Sequence, residues 1–111
     1  MDQYTKPQWS KSALLTIDVQ EDFTRPDAPA YIKGTAPILP SIRKLLEHYR
    51  NVNLPIFHIV RLYKTDGTNV DICRKKSIEE GQKIVSPGSD GAELASELKP
   101  NSSIRLIIQA Y

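Results

Sequence analysis

The sequence predicts an α/β domain with a parallel sheet flanked by helices, and three observations predict it. The run Ala13-Leu14-Leu15-Thr16-Ile17 is almost continuously apolar rather than alternating, as in a strand buried on both faces. From Pro37 to Val52 the residues Ile38, Leu39, Ile42, Leu45, Leu46, Tyr49 and Val52 fall at helical spacing and leave Arg43, Lys44, Glu47 and Arg50 outside. Pro55-Ile56-Phe57-His58-Ile59-Val60 is a second apolar strand. Strand, helix and strand in that order form a βαβ unit, which is right-handed with parallel strands.

The remaining segments follow from local signals. Residues 1–11 are a polar lead-in with Pro7 and Trp9, and Thr24 to Gly34 is a loop punctuated by Pro26, Pro29 and Gly34. Pro37 suits a helical first turn and Asn51 and Asn53 suit an exit, while Pro40 leaves the start open. Lys64 to Asn69 is a turn carrying Asp66-Gly67, and Val70 to Gly81 is charged and weakly helical. Ser86 to Gly91 is a loop in which Asp90 is expected to cap a helix from Ala92 to Leu98, with Glu93 completing a capping box. Lys99-Pro100 ends that helix, and Ile104 to Tyr111 is mostly apolar. A doubly wound sheet needs more strands than these. Residues 1–111 are read as a single domain; either a partner covers its apolar first strand, or the domain is partial and incomplete at its C-terminus, or the fold is a different one, and an uncovered apolar edge is an aggregation hazard.

Composition narrows the function classes. Fifteen Lys and Arg against thirteen Asp and Glu give a formal charge of +2, too balanced to argue for nucleic acid or an anionic membrane. No stretch is apolar for long enough to span a bilayer. Met1 to Lys11 lacks the basic start and apolar middle of a secretory signal, so a cytoplasmic location is expected. The single cysteine, Cys73, leaves no intrachain disulfide, and His48 and His58 without a Cys or His cluster argue against structural zinc.

Asp18 is the leading candidate for chemistry. Ligands of open α/β sheets sit outside the carboxyl ends of the strands, and Asp18 ends the first strand between apolar neighbours. Such surroundings can raise a carboxylate's pKa and make it a usable base. The bland alternative is a strand-end Asp that caps the following turn. Arg61 and Tyr63 follow the second strand at the same rim, where they could touch an anionic or aromatic substrate; otherwise they are a solvated strand end with a salt bridge. Cys73 sits in Asp71-Ile72-Cys73-Arg74-Lys75-Lys76, where three cations could favour a thiolate, although an ordinary free cysteine is the simpler account. A redox or regulatory thiol is the weaker reading. His58 is expected to be a packed core histidine. Ser86 to Gly91 carries neither a P-loop nor a dinucleotide fingerprint, so no nucleotide role is expected.

The stretch Leu14-Leu15-Thr16-Ile17-Asp18-Val19-Gln20-Glu21-Asp22-Phe23 resembles the opening motif of the isochorismatase-like cysteine hydrolases, an apolar strand followed by Asp-x-Gln-x-x-Phe. Asp18, Gln20 and Phe23 stand in register with it. The helix Ile38 to Tyr49, the strand Leu54 to Arg61, and Pro87-Gly88-Ser89-Asp90-Gly91-Ala92-Glu93-Leu94 followed by Glu97-Leu98-Lys99-Pro100 keep the family order. The resemblance runs from about Ser12 to about Pro100, and the tail from Ile107 does not continue it.

The resemblance implies a Rossmann-like doubly wound fold and hydrolysis of a small-molecule amide or vinyl-ether bond through a covalent cysteine intermediate. The family triad is Asp, Lys and Cys, and only the Asp maps here, onto Asp18, as the base that takes the thiol proton. Phe23, Arg61 and Tyr63 would shape the substrate pocket. The nicotinamidases of the wider family carry an Asp-x-His pattern after the second strand. Here the stretch is Val60-Arg61-Leu62-Tyr63-Lys64, so no metal and no cofactor are expected. Two functional expectations stand side by side: a hydrolase piece that is inactive alone, and a non-catalytic α/β protein of the same fold that oligomerises or binds a partner. A homo-oligomer is expected in either case.

Overall fold

The computed structural model describes residues 1–99 and, for the backbone, 105–109. Three strands, β1 (Leu14–Ile17), β2 (Ile56–Arg61) and β3 (Arg105–Gln109), form one parallel sheet in the order β1-β2-β3. Register is set by Leu14 opposite Ile56 and Ile17 opposite Ile59, and on the other side of β2 by Phe57 opposite Arg105. The expected apolar tail thus contains a strand, and the rest of that stretch lies outside the described residues. Three helices join in: α1 (Glu21–Thr24), α2 (Thr35–Asn51) and α3 (Ile72–Glu79). The predicted βαβ unit is β1-α2-β2.

α2 starts two residues earlier than the apolar pattern indicated. Gly34 at its N-cap takes a φ of 95°, a backbone open to glycine at little cost. The Thr35 hydroxyl donates to the Ile32 carbonyl at 2.7 Å. Pro40 lies inside the helix, where it has no N–H to donate back along the turn. At the other end Asn53 takes a φ of 57°, the left-handed exit that its residue type signalled. Leu39, Leu46 and Tyr49 of α2 are buried against Ile56, Ala95 and Leu98, with Leu14 and Ile42 partly buried beside them. A second core, Phe23, Ala30, Tyr63, Ile78, Ile84 and Val85, lies beyond the strand ends and holds the loops there.

Two expectations are corrected. The first strand is not buried on both faces. Thr16 is buried, whereas Leu15 and Ile17, which alternate to the opposite face, are 50% and 59% exposed. In β2 the same alternation leaves Ile56, His58 and Val60 buried and Phe57 and Ile59 half-buried. Ile38 and Leu45 of α2 and Val52 at its C-cap belong to the apolar pattern yet are exposed.

The second correction concerns residues 89–98. The cap is Ser89, not Asp90: its hydroxyl accepts from the Ala92 N–H at 3.2 Å. Only short 3-10 turns form, Asp90–Ala92 and Ser96–Leu98. The backbone between them pairs with the chain after β1 instead. Glu21 N–H donates to the Glu93 carbonyl at 2.9 Å and Ala95 N–H to the Val19 carbonyl at 3.0 Å. The Ser96 N–H is taken by the Glu21 carboxylate at 2.8 Å. These bonds satisfy the groups that a helix would have paired internally.

His58 is a core histidine, as expected: it is fully buried, with Nδ1 2.6 Å from the Thr16 hydroxyl. Burial lowers its pKa from 6.5, and the nearby Arg50 cation adds to the shift. Between its native pKa and about 6.5 the folded state therefore binds fewer protons than the unfolded chain. Stability is expected to fall as the pH drops below about 6.5 and to level off below the native pKa. His58→Gln, which keeps a hydrogen-bonding end but does not titrate, should flatten that part of the curve of Tm against pH. An unchanged slope would assign the acid sensitivity to other groups.

Candidate active site

The carboxyl ends of β1 and β2 open onto a cleft of about 240 Å³ lined by Asp18, Phe23, Ile32, Arg61, Tyr63, Asp71, Cys73 and Arg74. All four residues singled out from the sequence, Asp18, Phe23, Arg61 and Tyr63, meet there. Asp18 leaves β1 with a φ of 58°, a left-handed conformation that Asp tolerates better than most residues. Its N–H donates to the Ile59 carbonyl at 2.9 Å, which continues the strand pairing by one residue.

The neighbours of Asp18 are more polar than the sequence suggested. Its Oδ2 lies 3.4 Å from Arg61 Nη2. Oδ1 is enclosed, with no hydrogen-bond partner among the described residues. Arg61 also pairs through Nη1 with Asp71 Oδ2, and the same Asp71 oxygen accepts the Tyr63 hydroxyl at 2.5 Å. Burial pushes the Tyr63 phenol up to about 12; its bond to Asp71 adds to the rise and Arg61 opposes it. Tyr63 is thus a neutral hydrogen-bond donor at ordinary pH. Burial works against the Arg61 charge, but its contacts with Tyr63, Asp18 and Asp71 outweigh burial and raise its pKa. Phe23 is almost wholly buried, with one face under the Arg74 guanidinium at 5.3 Å.

Gln20, fully buried, holds this rim together. Its Nε2 donates to the Arg61 carbonyl at 2.8 Å and the Ala92 carbonyl at 2.9 Å, while its Oε1 accepts the Arg61 N–H at 2.8 Å. Two carbonyls on one side and an N–H on the other leave only one amide orientation that satisfies all three. Asp22, also buried, accepts the Val85 N–H at 2.7 Å. Gly91 packs so close to Asp22 that a Cβ there would lie 2.1 Å from its carboxylate. Cys73 is exposed at the cleft edge, and His58 is not among the residues lining it. Asp71, Arg74 and the roles of Gln20 and Asp22 were missed in the sequence. Asp71 preceding a helical pattern did give a signal, but as a cap, and its side chain makes no cap bond.

The isochorismatase domain family matches residues 12–109. The chain belongs to the isochorismatase family. The match runs beyond Pro100, where the resemblance read from the sequence ended, and includes Ile107 to Gln109, which had been read as not continuing it; the parallel pairing of β3 with β2 agrees with the match. An isochorismatase family protein from Desulfovibrio vulgaris superposes with a TM-score of 0.81 at 33% identity, covering 87% of this chain and 51% of that one. A cysteine hydrolase from Pseudomonas syringae shares the fold with a TM-score of 0.77 at 23% identity, over 95% of this chain and 52% of its own. A curated relative in Arabidopsis thaliana, a probable inactive nicotinamidase, is 31% identical over 96 residues, 85% of this chain and 48% of that protein. The chain spans about half the length of the curated relatives it matches. No described helix is long and apolar enough to cross a membrane.

Within this isochorismatase-family fold, Gln20 is the residue whose loss should be felt at the cleft. Gln20→Met keeps the volume but leaves two carbonyls and an N–H unsatisfied in a buried site. A loss of about 2–4 kcal/mol in unfolding free energy is expected. Denaturant unfolding measures it, and a loss below about 0.5 kcal/mol would mean that water or rearrangement replaces the bonds.

Proposed function

We propose that this chain carries the acid–base half of an isochorismatase-type hydrolase site and is inactive by itself. Asp18 is the proton acceptor. In a complete site it would take the proton of a cysteine thiol, and the thiolate would attack the carbonyl or related carbon of a small-molecule amide or vinyl ether. Phe23, Arg61 and Tyr63 shape the substrate side of the cleft. The observation that carries this reading is the convergence of all four side chains on one cleft at the strand ends, with Asp18 Oδ1 enclosed and unpartnered among the described residues. An acceptor in that state is costly unless a donor reaches it, and a thiol or a substrate N–H is such a donor. The Lys and Cys of the family triad have no match in the sequence. The relative in Arabidopsis thaliana that is described as a probable inactive nicotinamidase is in keeping with this reading. The purified chain should not hydrolyse small primary amides above background, and Asp18→Ala should change nothing. Turnover that Asp18→Ala abolishes would overturn the proposal of inactivity.

A second reading makes the chain an interaction protein of the same fold, and the exposed apolar residues favour it. Leu15 and Ile17 on β1, Ile38 and Leu45 on α2 and Val52 at its C-cap are each about half exposed. The occupant we propose is a second copy, because an edge strand with free backbone groups pairs with a like strand. Light scattering behind size exclusion should give a dimer that Ile17→Lys converts to monomer. A well-folded wild-type monomer at high micromolar concentration would count against this reading.

A further inference from the structure

We infer that the cleft takes a small molecule bearing both an amide and a carboxylate, and that Arg74 is the residue that selects the carboxylate. The inference rests on the reading of the cleft as a substrate site. Its two guanidinium groups are not equivalent. Arg61 is flanked by Asp18 and Asp71, so its charge serves to organise the site. Arg74, in the first turn of α3, has no carboxylate within 4.0 Å among the described residues. What holds it is the ring of Phe23, with Cζ 5.3 Å from the centroid. A contact with a ring face restrains a guanidinium while leaving its N–H donors available.

The cleft therefore holds two kinds of unmet group. Asp18, one of two carboxylates sharing Arg61, has an Oδ1 with no donor among the described residues. Arg74 lines the same cleft and has no carboxylate acceptor among the described residues. A ligand that satisfies both presents an N–H to Asp18 and an anionic fork to Arg74, since Arg binds carboxylates through two parallel N–H bonds. Phe23, Ile32 and Tyr63 also line the cleft, and their apolar surfaces suit a short spacer. A volume of about 240 Å³ is small by the standards of ligand pockets and suits a compact molecule.

Succinamate, which carries one amide and one carboxylate, is the probe, and succinamide, the neutral diamide, is the control. Backbone NMR shifts of the full chain, titrated with each, report site and affinity together. Succinamate should shift residues 18–23, 61–63 and 71–74. Arg74→Gln should weaken it by roughly tenfold, as expected for a lost charge-assisted bond. Arg74→Lys, which keeps the charge but not the fork, should recover part of the affinity. Succinamide should bind more weakly and be indifferent to Arg74. If succinamate binds at these residues equally well in Arg74→Gln, or succinamide matches it, the role of Arg74 is overturned while the cleft stands. If neither compound perturbs these residues at millimolar concentration, both the inference and the substrate-site reading fail.

Discussion

One buried amide sets the geometry on which the candidate site depends. Gln20 reaches from the chain just after β1 to both backbone groups of Arg61 and to the Ala92 carbonyl. Asn would fall short of these partners by a methylene, and Glu would have no donor for the two carbonyls. Because Gln20 grips the backbone of the very residue whose side chain meets Asp18, the two strand ends cannot shift independently. The 3.4 Å approach of Arg61 to Asp18 is a consequence of that grip as much as of charge. The motif Asp-x-Gln-x-x-Phe thus divides its work. The Asp faces the cleft, the Gln fixes the strand ends, and the Phe anchors the loops beneath and lines the cleft above.

Around this clamp the rim is held by polar contacts that tolerate little change. Val85 adopts a φ of 41°, a costly conformation for a β-branched residue. It is held on both sides, its N–H by Asp22 and its carbonyl by the Tyr63 N–H at 3.0 Å. Asp22 in turn leaves room at position 91 only for glycine. Strain at Val85 is therefore tied through Asp22 to the 89–98 segment, and through Tyr63 to Asp71 and Arg61. A change at any of these points reaches the cleft through a short chain of bonds.

Local pattern made the central βαβ unit legible, because both strands and α2 rest on short-range apolar spacing and on residues such as Gly34 and Asn53 with clear backbone preferences. The motif singled out Asp18 and Phe23, and position after the second strand placed Arg61 and Tyr63 at the same rim, since parallel strands bring their carboxyl ends together. What the sequence did not disclose depended on distant partners. The capping box at Asp90 and Glu93 was sound local chemistry, yet pairing with Val19 and Glu21 absorbed the same backbone groups. Asp71 drew no notice in its charged run, and its carboxylate is taken by Arg61 and Tyr63, ten and eight residues earlier. Arg74 was one of several cations in a charged run until the fold set it over Phe23.

The failed expectation about burial carries its own argument. The pattern in β1 reads as two buried faces because Leu15 and Ile17 are apolar, and the pattern in α2 reads as a wide buried stripe because Ile38, Leu45 and Val52 recur every seven residues. Among the described residues these five side chains remain about half exposed. Fully burying such a side chain is worth roughly 1.5–3 kcal/mol, so covering the exposed half of each would return about 1 kcal/mol apiece. Five of them together approach the lower end of the whole stability of an ordinary domain, about 5 kcal/mol. Covering these side chains would therefore stabilise the fold that positions Asp18 and Arg61 by an amount comparable to the margin on which a domain stands.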